Sequence, residues 1–311
     1  MTDNSPRSSH VATAVAPVSH GFHRLGTALI AACEAAGLTQ TSHVRLLGTE
    51  EKWAAVEIAV ALGDADLGSA RTALRTAFGE NVDVALLPAR NRKKRLLVSD
   101  MDSTIIQQEC LDELAAYAGL KDEIAAITAR AMAGELDFEG ALTERVGKLD
   151  GLSLDALQRC YDEQITLMPG AKTLTATMTQ FGGFCLLVSG GFTYFTSRVA
   201  ETAGFKAHKG NVLIDDGMAL TGEVGRPILG REAKLDALDD CAFANGWNRH
   251  DALAMGDGAN DLAMIEAAGR GLAVHAKPIV ASAADAAINV TDLTAALYFQ
   301  GYTDSEIVWR D

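Results

Sequence analysis

The stretch Lys94-Arg95-Leu96-Leu97-Val98-Ser99-Asp100-Met101-Asp102-Ser103-Thr104-Ile105 decides the fold of this chain. A short apolar run between a basic pair and polar residues is typical of a buried β-strand. In an open α/β sheet, ligands bind outside the carboxyl ends of the strands. Asp100 and Asp102 directly follow the apolar run, so the sequence places them where a functional site would lie.

The two carboxylates are only one residue apart. Alternate residues of an extended chain project to the same side, so Asp100 and Asp102 are expected to face one small volume. Two negative charges this close raise each other's pKa unless a cation lies between them. A hard divalent ion relieves that repulsion, and Mg2+ is usually held by one or two carboxylates together with phosphate oxygens of a substrate. Taken alone, the segment fits an ordinary polar turn before a helix equally well.

The composition is that of a soluble globular protein, since the chain has 311 residues of which 48% are hydrophobic and 22% are charged. No apolar stretch approaches the ~18 residues of a membrane-spanning helix. The formal charge of -14 argues against nucleic acid or an anionic membrane as a partner. An odd number of scattered cysteines with apolar neighbours indicates reduced thiols in a cytoplasmic protein. They are Cys33, Cys110, Cys160, Cys185 and Cys241.

The N-terminal third has the pattern of a small α+β unit. Its periodicities predict the order βαββαβ, which is the ferredoxin-like pattern and is similar to that of an ACT domain, an amino-acid-sensing module. We expect a flexible tail over residues 1–18 and this unit over residues 19–90, with its first strand beginning as early as residue 11. An amino-acid ligand, a homodimer interface and a purely structural role are all compatible with such a unit. The expected strands are Val11 to Val15, His43 to Leu47, Ala54 to Ala61 and Val82 to Leu87, and the expected helices are Phe22 to Ala36 and Asp66 to Phe78.

A basic run and a helical insert flank the opening stretch. Five of the six residues from Arg90 to Arg95 are basic, and in an acidic chain we expect a solvated linker there. Residues 106–168 contain no convincing strand and have helical spacing interrupted by glycines. Such an insert can cover the candidate site and exclude water from it. The expected helices are Leu111 to Ala118, Asp122 to Ala133, Phe138 to Leu149 and Leu154 to Gln164.

Two further apolar runs end in small or polar residues. Phe184 to Val188 is followed by Ser189-Gly190-Gly191, whose small residues can open a helix and present backbone N–H groups to a phosphate. Ala252 to Met255 is followed by Gly256-Asp257-Gly258-Ala259-Asn260-Asp261. Each run therefore resembles the opening stretch in delivering functional groups to the end of a strand.

The remaining pattern predicts the overall architecture of the larger part. Gly271 to Val274 and Ala286 to Val290 are expected to be buried strands. With helices between the strands, residues 91–311 are predicted to form an α/β domain with a doubly wound, mainly parallel sheet of the Rossmann type. A helix from Gly230 to Ala244 carries Lys234, which in isolation would be an ordinary solvated surface lysine.

Together these segments predict one site at one edge of the sheet. Asp100 and Asp102, then Ser189, then Asp257 follow three strands, and Lys234 lies on the connection to the third. Phosphoryl transfer depends mainly on positioning and on neutralisation of charge. A nucleophilic carboxylate, a metal, a cation and phosphate-binding backbone supply both. Three separate ordinary turns in this order would be a coincidence, so we interpret the set as a phosphoryl-transfer site.

The set resembles the four ordered motifs of the haloacid dehalogenase superfamily. Within it the chain is similar to the phosphatases that act on O-phospho-L-serine, which have a helical cap between the first two motifs. The resemblance covers residues 95 to about 300 and implies Mg2+-dependent hydrolysis through an aspartyl-phosphate, the last step of L-serine biosynthesis. The motifs are Asp100 to Thr104, Ser189 to Gly191, Lys234 and Gly256 to Asp261.

The resemblance also implies catalytic roles. Asp100 is the nucleophile that takes the phosphoryl group. Asp102 first protonates the leaving oxygen and then activates the hydrolytic water. The metal ligands are the side chains of Asp100 and Asp257 and the backbone carbonyl of Asp102.

Phosphate binding is implied for a second group of residues. Ser189, Gly190 and Lys234 bind the equatorial phosphate oxygens. Asn260 holds the phosphate or orients its loop. Asp261 fixes Lys234 or a metal-bound water from behind the metal ligands.

Two charged cap residues stand where the resemblance places the groups that bind the amino acid. Glu109 complements an ammonium, and Arg145 can hold a carboxylate with two hydrogen bonds. Taken singly, each is an ordinary solvated helix charge, so the assignment depends on the family spacing. Two other functions stay open: a phosphatase or phosphotransferase for another small phosphomonoester, and a non-catalytic amino-acid sensor.

Overall fold

The computed structural model describes residues 9–48, 52–132 and 135–310. The N-terminal elements follow the predicted βαββαβ order, except that the strand expected over His43 to Leu47 is only two residues long and another two-residue strand precedes it. None of the described helices has both the length and the hydropathy needed to cross a membrane. The elements are β1 (His10–Pro17), α1 (Phe22–Ala35), β2 (Thr39–Gln40), β3 (Arg45–Leu46), β4 (Trp53–Ala61), α2 (Leu67–Phe78) and β5 (Asp83–Pro88).

The larger part begins with β6 (Leu96–Ser99), the strand of the opening stretch. A helical insert follows it, as predicted; residues 133 and 134, where the second of its helices was expected to end, lie outside the described residues. The insert contains α3 (Cys110–Tyr117), α4 (Lys121–Met132), α5 (Phe138–Gly147) and α6 (Leu154–Gln164). The later elements are α7 (Ala171–Gln180), β7 (Phe184–Phe192), α8 (Thr193–Ala203), β8 (Ala207–Asn211), β9 (Leu213–Asp215), β10 (Leu220–Val224), α9 (Arg231–Ala244), β11 (Ala252–Gly256), α10 (Leu262–Ala267), β12 (Arg270–Val274), α11 (Pro278–Ala283), β13 (Ala286–Ile288) and α12 (Ala295–Phe299).

Both parts contribute to one 11-stranded sheet with the order β2-β4-β1-β5-β13-β12-β11-β6-β7-β8, in which β3 also pairs with β4. The pairs from β13 to β8 are parallel, which confirms the predicted doubly wound, mainly parallel α/β fold. The N-terminal pairs are antiparallel. Strands β6 and β11 are buried along their whole length, which explains why they were recognisable as continuous apolar runs.

The two parts of the sheet join between β5 and β13, which pair antiparallel through Ala85 and Ala286. Asp83, at the start of β5, reinforces the junction. Its buried carboxylate accepts hydrogen bonds of 2.8 to 3.3 Å from the backbone N–H groups of residues 289–291. The Thr291 hydroxyl donates to the same carboxylate at 2.6 Å. One side chain of the N-terminal part therefore provides the hydrogen-bond acceptor for the backbone N–H groups of the loop that follows β13.

Two arginines of α2 make a second contact between the parts. Arg75 donates to the carbonyl oxygens of Ala281 and Ala284 at 2.8 and 2.9 Å. These carbonyls lie at the carboxyl end of α11, where a helix leaves such groups without internal partners. Arg71 forms an ion pair of 2.7 Å with Asp285. The N-terminal part thus holds the carboxyl end of α11.

The expected flexible tail over residues 1–18 does not extend that far. Strand β1 occupies His10–Pro17 and lies between β4 and β5. Its side chains are buried on both faces, so the alanines and valines of this segment belong to the sheet. Residues 1–8, the rest of the expected tail, lie outside the described residues.

The expectation of a solvated linker from Arg90 to Arg95 is wrong for two of its six residues, Arg92 and Lys94, while the other four are exposed. Lys94 is buried and donates from Nζ to the carbonyl of His250 at 2.6 Å. Arg92 forms an ion pair of 2.7 Å with the buried Glu57 of β4. Because the two parts share one sheet, the chain between them runs within their contact region, and its charges find partners there.

Replacing Asp83 by Ala removes the acceptor of several backbone N–H groups that stay buried. We expect the free energy of unfolding, measured by urea denaturation, to fall by roughly 3 kcal/mol, since an unsatisfied buried donor costs about 1–3 kcal/mol. The same change at the exposed Asp64 is the control and should alter stability by less than about 0.5 kcal/mol. Equal urea midpoints for the two variants would contradict this account of the junction.

Candidate active site

The carboxyl ends of β11, β6 and β7, which are neighbours in the sheet, open into one cleft of about 350 Å³. This arrangement brings together the strand ends singled out in the sequence. Eight of the predicted site residues line the cleft, namely Asp100, Asp102, Glu109, Arg145, Ser189, Gly190, Asp257 and Asn260. The other two, Lys234 and Asp261, bond to each other directly behind Asp100.

The Lys234 ammonium lies between two carboxylates. Its Nζ is 2.7 Å from Oδ1 of Asp100 and 2.6 Å from Oδ1 of Asp261, and all three side chains are buried. Burial lowers the pKa of Lys234, but the charges of Asp100 and Asp261 outweigh burial and raise it above its ordinary value. Lys234 is therefore a charged interior group that fixes the orientation of Asp100.

Close packing of the β11 loop makes this arrangement possible. A Cβ at Gly256 would lie 2.3 Å from Cγ of Asp261, so only glycine permits the carboxylate to come this near the strand. Oδ2 of Asp261 also accepts a hydrogen bond of 3.0 Å from the N–H of Gly258. Asp261 is thus held by both the lysine and the loop.

Three carboxylates at this edge fit a divalent cation. One oxygen each of Asp100, Asp257 and Asp261 lies within 4.8 Å of the others. Burial and the charge of Asp100 raise the pKa of Asp257, so the site has an excess of negative charge that a cation would neutralise. Carboxylate oxygens are hard ligands that suit Mg2+ and similar ions. Both oxygens of Asp261 already accept hydrogen bonds, from Lys234 and from the Gly258 N–H, so Asp100 and Asp257 are the better placed pair.

Asp102 is held between the cap and β7. Its Oδ1 accepts a hydrogen bond of 3.1 Å from the N–H of Cys110, and its Oδ2 accepts one of 3.3 Å from the Ser189 hydroxyl. Burial, followed by the charges of Glu109 and Asp100, raises the pKa of Asp102 to about 7. A carboxyl group that titrates near neutrality can both give and take a proton, as general acid–base catalysis requires.

The segment Ser189-Gly190-Gly191 lines the cleft but does not open a helix as expected. Strand β7 continues to Phe192, because its pairing with β8 extends to Asn211 and the Asn211 amide donates to the carbonyl of Gly190 at 2.8 Å. Helix α8 begins only at Thr193. The end of a strand therefore presents the hydroxyl of Ser189 and the glycine backbone to the cleft. In this described segment, Ser189, Gly190 and Gly191 do not form the start of a helix.

The cap places a carboxylate and a guanidinium on the cleft. Glu109 precedes α3, and its Oε1 accepts a hydrogen bond of 2.7 Å from the Ser103 hydroxyl. Arg145, on α5, donates from Nε to the carbonyl of Ala141 at 3.2 Å. Burial lowers the pKa of Arg145. Within the described residues both Nη groups of Arg145 are uncommitted, so they are available to a ligand.

Phe138 and Lys277 are among the cleft-lining residues that sequence reasoning missed. A Cβ at Gly190 would lie 3.3 Å from Cζ of Phe138, and one at Gly230 would lie 3.6 Å from its Cδ1. Phe138 therefore brings the cap against the end of β7 and the residue before α9. As the first residue of an amphipathic helix it was indistinguishable from a core residue. The position of Lys277 just after a buried strand was the available signal for it.

Comparisons with known proteins agree with this geometry. A family model described as haloacid dehalogenase-like hydrolase matches residues 97–266. The phosphoserine phosphatase of Streptomyces coelicolor is 39% identical over 314 residues, which are 99% of this chain and 75% of that protein.

Two solved structures extend the comparison. A haloacid dehalogenase family hydrolase from Salmonella enterica serovar Typhi has a TM-score of 0.82 at 28% identity, covering 93% of this chain and 98% of its own. A phospho-aspartyl intermediate analogue of phosphoserine phosphatase has a TM-score of 0.61 at 37% identity, covering 67% of this chain and 99% of its own. The sequence resemblance is thereby confirmed, and the chain belongs to the haloacid dehalogenase-like hydrolases, among relatives that include phosphoserine phosphatases.

Proposed function

We propose that the chain is a Mg2+-dependent phosphatase that hydrolyses O-phospho-L-serine to L-serine and phosphate, the last step of L-serine biosynthesis. The observation that carries the proposal is the buried Asp100, fixed by Lys234 and adjacent to Asp257 at the mouth of a cleft. The Streptomyces coelicolor relative bears the name of this activity. We also assign the enzyme to the cytoplasm, where its five free cysteines stay reduced, and fractionation of cells that make the chain checks this.

In the first step Asp100 attacks phosphorus. Because Oδ1 is bound to Lys234, the carboxylate presents Oδ2 to the substrate in one orientation. A new O–P bond forms as the ester bond to the serine oxygen breaks, which divides one difficult displacement into two easier ones. The side chains of Asp100 and Asp257 and the backbone carbonyl of Asp102 would hold Mg2+, which would offset the repulsion between carboxylate and phosphate.

Asp102 moves the proton in both steps. With a pKa raised to about 7, it carries a proton often enough to pass it to the departing serine oxygen. The resulting carboxylate then takes a proton from the water that attacks phosphorus, as the bond between phosphorus and Asp100 breaks to release phosphate and restore the Asp100 carboxylate. The hydrogen bond from the Cys110 N–H keeps Oδ1 in place throughout, and the Ser189 hydroxyl holds Oδ2 until the phosphate binds.

The phosphate is bound from the side of β7 and β11. The Ser189 hydroxyl and the Gly190 N–H bind its equatorial oxygens, and Lys234 binds another from behind Asp100. Asn260, exposed on the loop after β11, holds the phosphate or orders that loop. Asp261 keeps Lys234 in position.

The cap recognises the amino acid. The carboxylate of Glu109 complements the ammonium, and the free Nη groups of Arg145 bind the carboxylate through two parallel hydrogen bonds. These two charges favour a zwitterionic substrate over a simple phosphomonoester. A phosphatase or phosphotransferase for another small phosphomonoester would have no use for both.

Phosphate release from O-phospho-L-serine, with and without a chelator, tests the function. We expect turnover that the chelator abolishes and Mg2+ restores. The change Asp100→Asn should reduce turnover by at least ~1000-fold, since it removes the nucleophile. The control Asp64→Asn makes the same chemical change at an exposed site and should keep full activity. Full turnover by a folded Asp100→Asn variant would assign the nucleophile elsewhere.

A substrate pair tests the role of Arg145. O-phosphoethanolamine has the ammonium of phosphoserine and lacks its carboxylate. The change Arg145→Ala should lower kcat/KM for phosphoserine by roughly 100-fold and leave the value for phosphoethanolamine nearly unchanged. Arg159→Ala, at an exposed arginine on α6 of the cap, is the matched control. Equal losses with both substrates would show that Arg145 does not bind the carboxylate.

For the N-terminal part we propose an ACT-like regulatory unit over residues 19–90, attached to a phosphatase unit over residues 91–311 with its cap at about 106–168. The βαββαβ order supports this proposal, as does a groove beside the start of α1 lined by Val18, Phe22 and Leu46.

Isothermal titration of the Arg145→Ala chain, whose cap is impaired, with L-serine and other amino acids tests the unit. We expect one ligand site per chain and, by analytical ultracentrifugation, a homodimer. Silence with every common amino acid would leave the unit structural, and a monomer would remove the dimer proposal.

A further inference from the structure

The cleft is too acidic to attract an anionic substrate without help. Four carboxylates line it, those of Asp100, Asp102, Glu109 and Asp257. Lys234 does not line the cleft and already contacts two carboxylates behind its wall, so only its third donor is left for a phosphate oxygen. A phosphate dianion that enters this space meets strong repulsion, even with one divalent cation in place. The cations that face the cleft therefore decide how well it binds.

Among the described residues that line the cleft, two are cationic, Arg145 and Lys277. The proposed function assigns Arg145 to the carboxylate of the substrate. Lys277 has no assignment, although it lies at the same edge of the sheet, three residues after the end of β12. Its positive charge acts on the site. Burial and Asp100 raise the pKa of Asp257, and the charge of Lys277 lowers it.

The backbone of Lys277 is fixed beside the candidate metal site. Its N–H donates to the carbonyl of Asp257 at 3.2 Å. It directly precedes α11, whose carboxyl end is held by Arg75. The main chain at Lys277 is thus anchored to the β11 loop on one side and, through α11, to the N-terminal part on the other.

The side chain of Lys277, in contrast, is exposed and uncommitted. Within the part of the chain that the structure describes, its ammonium makes no salt bridge and no hydrogen bond. A lysine ammonium is a compact charge with three rotatable donors on a flexible stem. A fixed backbone and a free ammonium at the rim of an acidic cleft suit the capture of an anion.

We propose that Lys277 is a substrate-binding residue whose ammonium binds non-bridging oxygens of the phosphate group and draws the dianion into the cleft. This inference rests on the proposed function only in taking a phosphomonoester as the substrate. It requires no change in the roles of Lys234, Ser189 or Arg145.

Removal of the charge tests the proposal. We expect Lys277→Gln to lower kcat/KM for O-phospho-L-serine by about 10-fold, mainly through KM, and to weaken inhibition by inorganic phosphate by a similar factor. O-phosphoethanolamine should suffer the same loss, because the phosphate is common to both substrates. The dependence of kcat/KM on ionic strength should become shallower, and Lys277→Arg should recover most of the affinity.

The matched control is Lys206→Gln. Lys206 is an exposed lysine whose N–H donates to the carbonyl of Cys185 near the start of β7. It therefore lies at the amino ends of the strands, away from the cleft at their carboxyl ends. This variant loses the same charge and should behave as the wild type.

Three outcomes would overturn the proposal: unchanged KM and phosphate inhibition in Lys277→Gln, a loss confined to kcat, or a loss for phosphoserine alone. Each of them leaves the proposed function intact if the wild type hydrolyses phosphoserine. If the wild type hydrolyses no phosphomonoester, the proposed function fails. Thermal unfolding with Mg2+ and inorganic phosphate would then still test the binding of phosphate by Lys277. Phosphate should stabilise the wild type and not Lys277→Gln.

Discussion

The buried contact of one ammonium with two carboxylates, at the carboxyl ends of the parallel strands, determines the rest of the site. Lys234, Asp100 and Asp261 are all withdrawn from water, so each depends on the others for compensation of its charge. This constraint fixes the position of α9, requires glycine at 256, and leaves two carboxyl groups for one ammonium beside Asp257. A divalent ion is the natural complement of that excess of carboxyl groups, which links the packing of the interior to the chemistry of the cleft.

The cap acts on the same charges from above. Its first helix supplies an N–H to Asp102, and Phe138 of its third helix rests against two glycines of the body. Burial and the charges of the neighbouring carboxylates raise the pKa of Asp102 to about 7. Asp100 has a lysine beside it, whereas Asp102 has no cation beside it in the described residues. The proposed division of roles between nucleophile and proton carrier rests on this difference.

Much of this arrangement was predictable because parallel strands buried on both faces leave continuous apolar runs. Strands β6 and β11 were recognisable in this way, and the residues that follow them identified the site. Strand β8 (Ala207–Asn211) was not, since it is a polar edge strand with one neighbour in the sheet. Glycines 190 and 191 suggested a turn, yet pairing with β8 keeps them in a strand. The burial of Lys234 could be inferred only from its motif, because nothing in the sequence of its helix distinguishes it from a solvated lysine.

The shared sheet gives the N-terminal part a role besides any ligand it binds. Strand β5 covers β13, Asp83 occupies the N–H groups of the following loop, and Arg75 closes the end of α11. Cleavage between the parts would uncover a parallel sheet whose last strand has free backbone donors and acceptors. Such an edge recruits strands from other molecules. Strand β5 and the contacts around it therefore cover the β13 edge of the parallel sheet and withhold it from such pairing.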